Sequence, residues 1–451
     1  MAQAKTTTEP TPHITYGQVN HDILRAMELL GRRYYLLLAL DLLVLAWGGY
    51  CWSVMLRKGL GVAGFTNSIR WVTFIINFVF WVGIAHSGAM ISAILFLFRA
   101  RWRTAVARSA EAMTVFAIMT AALFPIIHLG RAWFAYWLFP YPNQRQLWVN
   151  FRSPLIWDMF AVSTYFVISV IFWYMGLIPD LAAARDRSRG LRGKLYGLLS
   201  LGWQGRGEQW VHFSSAYLFF AALATPLVVS VSSIVSWDFA MGLVPGWHST
   251  IFAPYFVAGA ILSGLAMLIT LLVPVRKVFR LEPYITLHHF DNLGKMVLFI
   301  SMIVTYAYIN EFFIAWYSDN LFEQSAFRFR AFGHYAVVFW VMIACNSVIP
   351  LLLWFKSVRT NLAWLFVISV LVIIGMWLER FVIVVGSLSH DFNPWSWSVY
   401  RPTWVEAGIM AGSFAWFFLW FLLSIKWLPV VSMMEVKEAL PPPLSKEGDR
   451  T

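Results

Sequence analysis

Ten times along the chain, an apolar run long enough to cross a bilayer is followed by a short stretch rich in Arg, Lys, Pro or Asn. A hydrocarbon core of about 30 Å needs about 20 helical residues, and in lipid the backbone must close its hydrogen bonds within the segment. The pattern predicts transmembrane helices at 34–56, 71–98, 109–138, 154–178, 211–235, 251–275, 293–317, 332–355, 361–386 and 404–428, called spans 1 to 10 below. Residues 1–33 precede them as a polar segment and residues 429–451 follow as a tail. The ends MAQAKTTTEPTP and EALPPPLSKEGDR read as flexible. Residues 1–33 are too charged for the apolar stretch of a cleavable signal, so this segment is expected to stay on the protein.

A weak repeat runs through the spans. HSGAMISAILFLFR in span 2 matches LSGLAMLITLLVPVRK in span 6, and GRAWFAYW at the end of span 3 matches NEFFIAWY at the end of span 7. A shift of four helices preserves direction. The expected fold is therefore an all-α integral membrane protein with two four-helix bundles, spans 2–5 and 6–9, flanked by spans 1 and 10.

Composition agrees. The 451 residues are 60% hydrophobic and only 12% charged, against about a quarter charged in a soluble domain. The net charge of +12 is spread over short loops, which excludes a nucleic-acid reading. Lys and Arg on the side of the two termini outnumber those on the other side by roughly three to one, with RARWRTAVAR and ARDRSRGLRGK carrying most of the bias. The positive-inside rule then puts both termini in the cytoplasm, and the charge runs read as topology signals and contacts to anionic lipid. The loops 139–153 and 387–403 face outward and are rich in Trp, Tyr, Phe and Pro, fit to cover a site or meet a peripheral partner.

The two cysteines, Cys51 and Cys345, lie in different runs, and no CxxCH, CxxC or ferredoxin-type cluster occurs. No metal site is expected. His86 and His128 are each alone in their spans, which disfavours a bis-histidine haem. Any redox centre belongs to a partner.

Ionisable groups at membrane depth are costly and mark function by default. In FPIIHLGRAWFAYW, His128 and Arg131 share a predicted helix face, with Pro125 expected to bend the helix. Asp158, Asp238, Glu311 and the pair Glu379–Arg380 fall in the same outer layer. Glu379–Arg380 and Arg131–Glu311 could be structural ion pairs. His128 and Asp158 could instead hold the two hydroxyls of a quinol and accept its protons, among aromatic residues that include Tyr136. Asp41 in span 1 and His86 in span 2 lie deeper. They could carry protons from the inner side, or simply bond to neighbouring groups; Glu311 and Glu379 are further candidates for a proton path.

The stretches AHSGAMISAILFLFRARWR, RSAEAMTVFAIMTAALFPIIHLGRAWFAYWLFPYPN and SWDFAMGLVPGWHSTIFAPYFVAGAILSG resemble the NrfD/PsrC-like quinol-oxidising membrane subunits of bacterial alternative complex III, ActC-like over nearly the whole chain. The resemblance implies two four-helix bundles with flanking helices and no haem or iron–sulfur cluster in this chain. It makes His128 of HLGR the quinol-site histidine and Asp158 of SPLIWD its carboxylate partner, while Asp238 matches an outer acidic position. Arg131 is then expected to orient Glu311 or a loop carboxylate. The substrate would be menaquinol or ubiquinol, in a bacterial inner membrane. Partners would be a periplasmic iron–sulfur subunit, multihaem cytochrome c subunits and a sister NrfD-like subunit. An ActF-like structural or proton-conducting subunit and a secondary transporter are the rival readings.

Overall fold

The computed structural model describes residues 15–28, 31–70, 72–139 and 151–440. These residues form helices and connecting turns, with no strand among them. Ten helices are long and apolar enough to cross a membrane. Spans 1 to 5 are Arg32–Lys58, Val72–Leu97, Ala107–Ile127, Pro154–Arg187 and Gly207–Ala240. Spans 6 to 10 are Phe252–Val278, Leu287–Tyr317, Ala336–Trp354, Leu362–Leu388 and Trp404–Trp427. An even number of crossings puts residues 15 and 440 on one side, the terminal face; the other is the distal face. Residues 140–150, most of one loop predicted to face outward, residues 1–14 and residues 441–451 lie outside the described residues, and with them most of the two ends expected to be flexible.

Several boundaries depart from the sequence pattern. Span 3 stops at Ile127 instead of 138. Its α-helix breaks at Ala122, because Pro125 cannot donate to the carbonyl one turn back and its ring crowds that carbonyl. Gly130 then takes φ +69, which an L side chain resists, and the chain leaves as a 3-10 turn over Ala132–Leu138. Spans 4 and 5, at 34 residues each, overrun the predicted limits. At 1.5 Å per residue each is about 51 Å long against a core of about 30 Å, so their extra turns reach past the lipid.

Spans 2, 3, 4 and 5 pack in a closed cycle, each against the next and span 5 back against span 2. Spans 6, 7, 8 and 9 do the same, and spans 2 and 5 meet span 6 while span 2 also meets span 9. Span 1 lies along span 10, which rests on spans 2 and 3. Span 1 turns Leu36, Leu37, Leu40 and Leu43 outward, as lipid allows, whereas spans 2 and 6 are buried on nearly every side. Without a hydrophobic force between helices in lipid, close approach depends on small residues. A Cβ on Gly48 of span 1 would stand 2.5 Å from the Gly412 Cα of span 10.

After span 10 the chain turns back. The short helix Met433–Ala439 is capped by Ser432, whose hydroxyl accepts from the Glu435 amide. It carries Glu435 into the terminal end of the first cycle, where that side chain is buried.

Candidate functional site

At the distal face, Asp158 sits one turn into span 4 and Asp238 in the last turn of span 5. Spans 4 and 5 are neighbours. The rings just before these residues, Trp157 and Trp237, meet edge to face with centroids 6.0 Å apart. That register brings the two carboxyls close enough to act on each other. Asp158 is only 6% exposed, and the Oδ1 atoms of both aspartates are buried without a hydrogen-bond partner among the described residues. Carboxylate oxygens only accept, so a bond between two carboxyls needs one of them to carry a proton.

His128 follows the last turn of span 3, on the same face. Its Nδ1–H donates to the Phe124 carbonyl at 3.2 Å. That bond fixes the tautomer and makes Nε2 the accepting nitrogen. The half-buried imidazole and the carboxyl pair thus stand at the distal ends of three consecutive helices. They are groups that can hold hydroxyls and take up protons.

Arg131 does not share a helix face with His128. It lies beyond Gly130 in extended backbone and is exposed. Nor does it orient Glu311: the cations beside Glu311 are Arg330 and Arg380. Arg330 reaches in from the loop helix Leu321–Phe332, donating to Ser387 Oγ at 2.5 Å and to the Gly246 carbonyl at 3.2 Å. Tyr136 is exposed in the 3-10 turn, edge-on to Trp137.

Glu311 and Glu379 belong to a buried cluster in the second cycle. Tyr308 donates to Glu379, Asn346 donates to Tyr308 at 2.9 Å, and Arg380 pairs with Glu379 at 2.7 Å while lying over the Phe256 ring. Glu379–Arg380 is an ion pair, as the sequence suggested.

His86 is fully buried in the first cycle. Its Nδ1–H donates to the Val82 carbonyl at 2.5 Å and its ring stacks on Tyr165 at 5.0 Å. Its Nε2 has no partner among the described residues. Asp41 is half-buried on span 1, with Oδ2 unpartnered among the described residues, and its helix packs along span 10 rather than beside His86.

The sequence reading missed a third group, at the terminal end of the first cycle. Arg103 and Arg108, which the sequence pattern places among the loop charges, are buried. Arg108 donates to Glu111 at 2.9 Å, to Asp180 at 3.2 Å and to the Gly176 carbonyl at 2.6 Å. A Cβ on Gly176 would fall 2.4 Å from Arg108 Nη1, so the glycine makes room for the guanidinium. Arg103 pairs with Glu435 at 3.2 Å. The available signal was Glu111, a carboxylate inside an apolar run three residues from an arginine. Among the described residues no group of three His, Cys, Asp or Glu could hold a metal ion.

The geometry defines a multi-pass helical membrane protein with buried titratable groups at both ends of one helix cycle. Residues 61–390 match the family described as polysulphide reductase, NrfD, so the chain belongs to the NrfD family, membrane subunits of quinol-linked oxidoreductases. It is also 28% identical over 435 residues to a protein of Halobacterium salinarum described as a putative membrane subunit of dimethyl sulfoxide reductase, covering 90% of this chain and 93% of the relative.

Proposed function

We propose that this chain binds and oxidises quinol near its distal face, as the membrane subunit of a complex of the alternative complex III type. The observation that carries the reading is the buried Asp158–Asp238 carboxyl pair, with His128 at the same end of the adjoining span. A quinol gives up two protons and two electrons. His128 Nε2 would accept one hydroxyl proton and the Asp158–Asp238 pair the other, while the electrons pass to an iron–sulfur subunit docked on the distal face. With both termini cytoplasmic, that face is periplasmic and the protons leave there. Multihaem cytochrome c and sister NrfD-like subunits complete the proposed complex, menaquinol or ubiquinol is the substrate, and the setting is a bacterial inner membrane. Asp41, His86, Glu311 and Glu379 are the candidates for carrying further protons across.

A second reading keeps the subunit and changes its complex. The relative's name speaks of a reductase, and in such an assembly the same site would feed electrons to a reductase subunit. A secondary transporter fits less well, since transporter sites lie near the midplane at broken helices. The test is His128→Ala in the purified complex. Assembly with its iron-containing partners should persist and quinol oxidation should fall at least about a hundredfold, the lower range for a lost proton acceptor. Oxidation at the wild-type rate would make His128 a structural residue. Purification without any iron-containing partner would favour the transporter.

A further inference from the structure

We propose that the terminal face carries a one-proton store, formed by Glu111 and Glu435 across the Tyr217 hydroxyl and loaded from an adjoining cavity. The reading extends the proton-carrying part of the proposed function and adds a site on the opposite face. Tyr217 Oη lies 3.1 Å from Glu111 Oε1 and 3.1 Å from Glu435 Oε1. A phenol has one proton to donate, and a carboxylate oxygen has none. To satisfy both contacts, one of the two carboxyls must donate to the phenol oxygen while the phenol donates to the other.

The charge count agrees. Three buried carboxylates, Glu111 on span 3, Asp180 on span 4 and Glu435 on the C-terminal helix, face two buried guanidiniums, Arg103 and Arg108. One negative charge is left over in a place where an uncompensated charge is expensive, and a single proton removes it. Ser432 Oγ accepts from Arg108 at 3.3 Å and changes no charge. Lys437 and Glu438, of opposite sign, line the cavity; burial and the nearby Arg187 lower the Lys437 ammonium against the pull of Asp180. Arg108 Nε is buried with no acceptor among the described residues.

Access comes from a cavity of about 460 Å³ at the terminal face, whose walls include Tyr217, Glu435, Asp180, Arg103, Trp203 and Lys437. That is room for many waters, so a hydronium there can hand its proton to the carboxylate pair and leave as water. Inward, Thr114 stands one helical turn beyond Glu111. Its hydroxyl donates to the Ala85 carbonyl at 2.8 Å, the same carbonyl that accepts from Tyr165 at 3.1 Å, and Tyr165 stacks on His86. The store thus lies one helical turn from Thr114, which shares the Ala85 carbonyl with Tyr165, the ring stacked on His86.

The experiment reads protonation in the resting complex, without quinol, so it can fail or succeed independently of the quinol reading. Infrared difference spectra of the purified complex across a pH step, in H₂O and D₂O, report the carbonyl stretch of protonated carboxylic acids. Glu111→Gln and Glu435→Gln should each remove one acid's worth of that signal. Tyr217→Phe keeps both carboxyls and the packing; it should shift the band and its deuterium sensitivity. Spectra unchanged in Tyr217→Phe and in whichever glutamine variants assemble would overturn the proposal.

Discussion

Replacing Asp158 with Asn probes the carboxyl pair with little structural disturbance. The amide has the same shape, and its N–H can donate to the Asp238 carboxylate, so the contact between spans 4 and 5 persists without the shared proton. The melting temperature of the complex in detergent should therefore hold. Turnover should not. Positioned proton acceptors contribute about 10² to 10⁴ in rate. Asp238 remains close by and can take part of the load, which puts the expected loss near the lower end, about 100-fold, or about 2.7 kcal/mol of barrier at 1.36 kcal/mol per decade. Asp238→Asn should give a loss of the same order. Because the two carboxyls act as one unit, the double variant should fall no more than about tenfold below either single one. The assay is oxidation of a soluble quinol analogue by the purified complex, with KM and kcat determined separately; the loss belongs in kcat, since an amide still holds a hydroxyl. Losses that multiply fully in the double variant would mean two independent sites. A single variant at the wild-type rate would end the proton-acceptor assignment.

Arg108→Met fills much of the same volume but strands Glu111 and Asp180, so it should destabilise the assembled protein by about 3–5 kcal/mol, the cost of breaking a buried pair from one side. Thermal melting in detergent measures this; adding Glu111→Gln should restore part of the loss, and a change below about 1 kcal/mol would show that the cluster is not held by the guanidinium. His86→Phe keeps the stack on Tyr165 while removing the ring nitrogens. In vesicles it should lower protons moved per electron with quinol oxidation intact, as should Asp41→Asn, and an unchanged ratio in both would leave neither residue on a proton path.

The spans were legible because lipid leaves the backbone few options. A run such as ILSGLAMLITLLV is apolar on all sides, so its length alone settles that it is a membrane helix. Span ends were harder to read. Leu138 closes a long, mostly apolar stretch, yet the helix stops eleven residues earlier, because Pro125 and Gly130 set the backbone where hydropathy records nothing. The failure has a consequence for chemistry. His128 and Arg131 share a face only on an unbroken helix, and on the real chain the arginine is carried out to the surface.

Pairings were harder to read than layers. Depth along a helix can be counted from sequence, and counting residues assigns Asp158, Asp238 and His128 to one layer. Which two of them touch depends on how neighbouring helices rotate, and the Trp157–Trp237 contact, invisible in one dimension, sets the aspartates together. Arg131 suits Glu311 by depth, since both fall in the outer layer, but Arg330, on a loop helix that reads as connection, occupies the place beside it. Arg103 and Arg108 mislead for the opposite reason. A basic cluster beside a span satisfies the topology rule whether its side chains face lipid headgroups or turn inward. What separates the two cases is the supply of buried acids, and here one of them, Glu435, arrives from the far end of the chain. A positive-inside cluster next to an intramembrane carboxylate should therefore be read as a candidate buried network before it is assigned to the lipid surface.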